Sequence, residues 1–485
     1  MAKILPTLDK LDPAEAWQPW QPSPADPWGR KWAAHLYRRA GFGPSRSDLL
    51  DAERLGYEGT LNLILNGKSQ NEDVQETLND VAPIALVHEE SGERIRSWWV
   101  YCMLRSPYPL REKMTLFWHN HFATSIAKVQ SADLMYQQNC LLRMHALGKF
   151  GPFLQAMSKN EAMLMWLDSN SNVMGKPNEN YARELMELFS LGVGNYTEKD
   201  IREAARAFTG WHTSLNGFQF NSSLHDDETK TVLGKTGKWD GADVVRIVLE
   251  QPAAARFIVR KLYQFLIGES VIPPNAFIEP LCDQFRKSDY DIKGLVKTML
   301  GSRHFYSDHA FRQRIKSPVE YVVGAVQAIY RHYEERDPDY SPLLHGVLVS
   351  HLSAMGQSLF APPNVKGWPG ARTWLNTSTM LERDNFAGAL ALGTLWTRPT
   401  STSNEASSPA KALDPARLLQ EEKVSGAEDI VRVLLDLYVP GGVRPEAKTK
   451  LVTFLTEGKP TGFALDRRVR ETVHAILTMP EYQLS

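Results

Sequence analysis

Apolar residues recur three or four apart along almost the whole chain, and this spacing limits the fold more than any other feature. It runs through residues 32–40, 61–65, 98–104, 110–122, 181–191, 201–208, 244–249 and 257–266, and resumes in 292–300, 319–330, 344–355 and 380–395. A period near 3.6 gathers such residues on one side of an α-helix, and that stripe must be covered by another element. The sequence therefore predicts a mainly α fold: a large multi-helix globular domain. Thr197 with Asp200 three residues on opens one helix as a relative of the capping box. Pro252 stands where a first helical turn tolerates proline, ahead of AAARFIVRKLYQFL. Strand signals are confined to one small β-hairpin insertion near 215–235. There GFQFN (217–221) alternates and would pair with TVLG (231–234), leaving SSLHDDETK as the loop.

Composition narrows the function. Lys plus Arg number 55 against 56 Asp plus Glu, so the chain lacks the basic surplus of a general nucleic-acid binder. No apolar run approaches the ~20 residues that span a bilayer. Cys102, Cys140 and Cys282 lie too far apart for a disulfide framework or a thiolate zinc site. No charged leader followed by an apolar stretch opens the chain, which places it in the cytoplasm by expectation. Residues 1–27, rich in Pro and Trp, are expected to wrap the surface as an arm. Residues 398–411 (RPTSTSNEASSPAK) read as a linker between a core domain at 28–397 and a C-terminal helical subdomain at 412–485 packed on it.

Four segments could carry chemistry. In FWHNHF (117–122), His119 and His121 could ligate one metal if the helix ends near Trp118 and the backbone is extended beyond. In a continuous helix, residues two apart point about 200° from each other and cannot share an ion. His121 would then lie in the middle of the apolar face, and His119 would be exposed beside Glu112. In WLDSNSNVMGKPNENYARELMELFSLG (166–192), Asn180, Arg183, Glu184 and Glu187 form one polar helical stripe. It is either a solvated face with an Arg183–Glu187 pair or the lining of a cavity. Asp168, Asn170, Asn172 and Glu179 echo a calcium loop, but Val173 stands where that loop needs Gly, so calcium is disfavoured. In LHDDETKTVLG (224–234), His225 and Asp226 could complete a His/carboxylate site, or His225 is a turn residue. In FAPPNVKGWPGARTWLN (360–376), Lys366 and Trp368 suit a platform for flat or anionic groups, or else a loop pinned over the core. No Walker loop, dinucleotide fingerprint, nucleophile elbow or HExxH is present.

Taken together and in order, LYRRAGFGPS (36–45), LREKMTLFWHNHFATS, PNENYARELMELFSLGVGNYTEKDIREAARAFTGW and PPNVKGWPGARTWLN resemble the bacterial "domain of unknown function 1800" family. The resemblance implies a large helical domain, often exported to the periplasm or beyond. It also implies a partner resembling the alkaline-phosphatase superfamily. Two functions are expected. The first is a metal-dependent enzyme, an oxidoreductase or hydrolase using a divalent or redox metal. His119, His121 and His225 would be its ligands, Arg183, Glu184 and Asp226 its catalytic groups, and Asn180, Lys366 and Trp368 its substrate contacts. The second is a non-catalytic helical scaffold or assembly partner of that phosphatase-like protein.

Overall fold

A computed structural model describes residues 5–67, 92–214, 217–334, 346–395, 419, 424 and 426–485. The principal helices are α1 (Arg30–Ala40), α2 (Arg46–Asn66), α3 (Glu93–Arg105), α4 (Pro109–His121), α5 (Ala132–His145), α6 (Asn180–Glu184) and α7 (Glu198–Ala207). After a β insertion come α8 (Pro252–Leu266), α9 (Asn275–Lys287), α10 (Ile292–Leu300), α11 (Pro318–Glu334), α12 (Gly346–Ala354) and α13 (Thr377–Leu392). The C-terminal α14 (Ala427–Tyr438), α15 (Pro445–Thr456) and α16 (Phe463–Thr478) complete the set. The fold is mainly α, as the period required. Side chains start several of these helices. Ser45–Asp48, Thr197–Asp200 and Asn376–Thr379 form reciprocal caps that satisfy otherwise orphaned N–H groups, as does Asp240–Asp243 at the start of a further helix, Gly241–Leu249. Pro109, Pro252 and Pro445 occupy first turns.

Among the described residues the strands form two hairpins rather than one. β1 (Trp211–Ser214) pairs antiparallel with β2 (Gly217–Phe220), and β3 (Lys230–Val232) with β4 (Lys235–Gly237). The expected pairing of GFQF with TVL would have closed the long SSLHDDETK loop. The chain instead closes TVLGKT locally through Leu233 and Gly234, both at positive φ, as a tight hairpin turn demands.

The helix α4 is the centre of the molecule. It packs on α5, and α3 and α2 lie against it. Leu110, Met114, Phe117 and Trp118 are buried on it, and so are Glu112, Lys113 and His119. A helix enclosed on all sides must neutralise its polar groups internally. Arg143 of α5 grips Glu112 through two hydrogen bonds of 2.8 and 2.9 Å. Lys113 bonds to Glu320 of α11, which also holds Arg314 at 2.9 Å. The N-terminal segment packs rather than floats. Trp17 donates to the Phe277 carbonyl, and Trp20 stacks on Tyr306 with centroids 4.3 Å apart. At the other end α16 lies along α13, and Arg38 of α1 donates to the Tyr438 carbonyl of α14. The expected linker at 398–411 lies outside the described residues. No helix among those described is long and apolar enough to cross a membrane.

Candidate functional site

The helix α4 continues through His121, so the extended backbone that would let two imidazoles meet is not formed. Both rings are buried, His119 at 1% and His121 at 2% exposure, and they go separate ways. His119 packs among Trp99, Phe360 and Trp368, and its Nε2 accepts from the Phe360 N–H at 3.1 Å. The expectation that a continuous helix would leave His119 exposed is corrected: the loop following α12 covers that face. His121 sits in an aromatic cage that includes Trp118, Phe150 and Phe189. Its Nε2 lies 3.0 Å from the Phe189 carbonyl, and its Nδ1 is buried without a partner. Nε2 therefore donates. Burial pushes His119 down to about 3 and His121 well below the usual imidazole range, helped in the second case by the nearby Lys261 ammonium. Both are neutral at pH 7.

Asn120, between them, does a third job. Its Oδ1 accepts from the Trp368 N–H at 2.7 Å, and its Nδ2 reaches the Trp368 carbonyl at 3.4 Å. Gly367, at positive φ, makes this approach possible, because a Cβ there would stand 2.1 Å from Asn120 Oδ1. Three consecutive polar side chains thus fasten three stretches of chain: the one at Phe360, the one at Trp368 and the one ending at Phe189.

His225 lies elsewhere. It is buried, its Nδ1 is 2.9 Å from the Thr209 carbonyl, and its ring meets Phe220. Asp226 forms a two-bond pair with Arg206 at 2.7 and 3.2 Å, which holds its carboxyl below the usual range against burial. The three expected metal ligands do not come together. Among the described residues no three His, Cys, Asp or Glu side chains are grouped to hold a metal ion, so the residues named from the sequence do not fit a shared ion.

The Asn-rich loop is turn chemistry. Asn172 donates to the Ala205 carbonyl at 3.0 Å. It accepts from the Asn178 N–H at 2.8 Å, and Asn170 accepts from the Thr213 N–H. Asn180 reaches the Leu167 carbonyl at 3.4 Å. The expected stripe is then broken by a π-helical turn over Leu185–Ser190, which inserts extra length after α6. Arg183 pairs with Glu179 and Glu198 rather than Glu187, and Glu187 accepts from the Tyr196 hydroxyl. Glu184 stays half-buried. Burial and the Glu187 carboxylate raise it above the usual carboxylate range, with Lys366 and Arg183 opposing.

A cleft of about 330 Å³ opens between α4, α8 and the loop that covers His119. Its walls are Phe117 and Asn120 of α4, Lys261 and Phe265 of α8, and the loop from Lys366 to Trp374. Arg314 and Glu269 also line it, but they are occupied: Arg314 bonds to Glu320, and Glu269 accepts from the Ile315 N–H at 2.6 Å. The ammonium of Lys261 has no such partner among the described residues. It stands 5.2 Å from the centroid of the Phe257 ring, and burial draws it down to about 8. Lys366 is exposed at the rim, close enough to Glu184 for its charge to oppose the rise of that carboxyl. Sequence reasoning passed over Lys261, though a signal was there. Phe257, Lys261 and Phe265 are four apart and share one face of α8, so the lysine interrupts an aromatic stripe.

The fold is that of a mainly α-helical protein in which two of the four distinctive segments, 117–122 and 360–376, line a cation-bearing cleft. The chain belongs to the family described as "Protein of unknown function (DUF1800)", whose model matches residues 35–484. No curated protein and no solved structure matches it.

Proposed function

We propose that this chain binds a small anionic molecule bearing a flat or apolar part in the cleft between α4, α8 and the 366–374 loop. The observation that carries this reading is Lys261: a partly buried ammonium lining an open cleft, with no carboxylate or hydrogen-bond partner among the described residues. A cation that loses water on folding without gaining a counter-ion is costly, and an anionic ligand would supply what the fold does not. Lys366 adds a second cation at the rim, while Trp368, Trp374, Phe117 and Phe265 offer flat apolar walls. The volume falls within the range of small-molecule sites. The substrate-contact role expected of Lys366 and Trp368 fits this cleft. Asn180, tied to the Leu167 carbonyl, has no such support.

Thermal shift and calorimetry on the full chain would test the reading with benzoate, phenyl phosphate and benzylammonium as probes. The two anions should raise the melting temperature, and Lys261→Met and Lys366→Met should each weaken that gain. Equal binding of benzylammonium, or unchanged anion binding in both variants, would overturn it.

A second reading, a helical scaffold joined to an alkaline-phosphatase-superfamily-like partner, draws support from a different observation. His119, Asn120, His121, His225 and Asp226 all fasten the chain to itself. Export alongside such a partner belongs to this reading. A metal-dependent reaction would need ligands beyond the three histidines. Its one foothold is the unpartnered Nδ1 of His121.

A further inference from the structure

The surroundings of Lys261 bear on more than charge. Lys261 lines the cleft and its ammonium lies over the Phe257 ring, with Phe265 and Phe117 on the cleft wall. The other charged groups of the cleft lining are engaged elsewhere or stand at its rim. Arg314 is cationic and bonded to Glu320, Lys366 is a second cation at the rim, and His121 is neutral and tied to Phe189. Glu269, the acidic residue in the same lining, is held by the Ile315 N–H and faces Arg314 at 3.9 Å. A lysine set over an aromatic ring in a cleft, with no carboxylate among the described residues to hold its proton, is an arrangement that favours an amine as nucleophile. A purely structural lysine at this place would extend its head into water or meet an acid.

We infer that Lys261 forms an imine with an aldehyde or ketone carried by the anionic ligand, whose acidic end is held toward Lys366. This rests on the cleft being the binding site. The unprotonated Nζ of Lys261 adds to the carbonyl carbon, and the C–O π pair moves to oxygen. Nitrogen gives up its two protons in turn and the oxygen takes up two, first as the carbinolamine forms and then as it breaks down. Loss of that oxygen as water leaves C=N, so an amine and a carbonyl become an imine and one water, with no oxidant or reductant. Burial of the amine, which populates its neutral form near neutral pH, works in the same direction.

The test uses the full chain and two matched probes, 4-formylbenzoate and 4-(hydroxymethyl)benzoate, which share shape and charge but differ in the carbonyl. Binding is measured by calorimetry. Adducts are fixed with cyanoborohydride and located by peptide mass spectrometry. The aldehyde should bind about tenfold more tightly than the alcohol, a ratio worth about 1.4 kcal/mol. The reduced adduct should sit on Lys261 in preference to the surface lysines. Lys261→Met should abolish the difference between the two probes, and Lys366→Met should weaken both alike. If both probes bind equally and label no residue selectively, the imine is refuted while the anion-binding cleft stands. If neither probe binds, the cleft reading falls and the imine with it.

Discussion

Lys113 of α4 and Lys261 of α8 are both drawn down to about 8 by burial. Their surroundings are opposite. Lys113 is wholly enclosed and bonded to Glu320, which is itself bonded to Arg314 and the Ser317 N–H. Lys261 opens onto a cleft, lies over an aromatic ring and has no carboxylate or hydrogen-bond partner among the described residues. Desolvation alone therefore does not mark a functional group here. What separates a structural cation from an available one is whether the fold supplies its counter-charge.

The comparison can be broken most directly at Glu320. Glu320→Gln leaves Lys113 and Arg314 buried without their shared anion, and should lower unfolding free energy by about 3–5 kcal/mol in urea titrations. A loss no larger than that of an exposed acid would mean the network carries no net charge coupling. His121→Ala should cost about 2–4 kcal/mol, from the emptied aromatic cage and an unmet Phe189 carbonyl, with far-ultraviolet circular dichroism largely kept. Gly367→Ala sharpens the other side. It would set a Cβ 2.1 Å from Asn120 Oδ1 on a backbone at positive φ. That strain should cost about 1–3 kcal/mol. Because it falls on the cleft wall, ligand affinity should drop as well, which calorimetry with benzoate would read.

The smallest effect is expected at Lys261. Lys261→Met removes a charge that the fold does not compensate, so the variant should be slightly more stable than the parent at neutral pH. The pH dependence fixes the sign. Below about 8 the lysine is protonated in both states and its lost hydration disfavours folding. Between about 8 and the ordinary 10.5 the unfolded chain binds the proton and the folded chain does not, so the parent gains stability as pH rises. The advantage of the variant should fade across that window in denaturation curves taken at successive pH values. A variant less stable than the parent at neutral pH would show that Lys261 has a stabilising partner after all.

The helices were legible because their apolar period is long and their starts carry explicit caps, as at Thr197 and Asp200. The pairing of the strands was not, since GFQF and TVLG match in pattern and only the local turn at Leu233 and Gly234 decides between partners. In FWHNHF the period argued for a helix and the two histidines suggested a metal. The period prevailed, and the helix runs on to His121. A one-stripe view also failed for His119, because a chain of 485 residues can enclose a central helix on every side. Lys366 and Trp368 do line the cleft, whereas Arg183 and Asp226 are taken by Glu179, Glu198 and Arg206. Which polar stripe faces an opening depends on distant elements, and spacing within one helix does not encode it.

The π turn at Leu185–Ser190 gives the site a spacer with a single residue of slack. Shortening LMELFS by one position would let the segment wind as an ordinary helix with the flanking chain in register, but would remove the wide turn that presents the Phe189 carbonyl. The Phe189 carbonyl would then be carried away from His121, loosening the aromatic cage behind Lys261. Length at this turn, more than the identity of any one of its side chains, is what the neighbouring cleft is least able to give up.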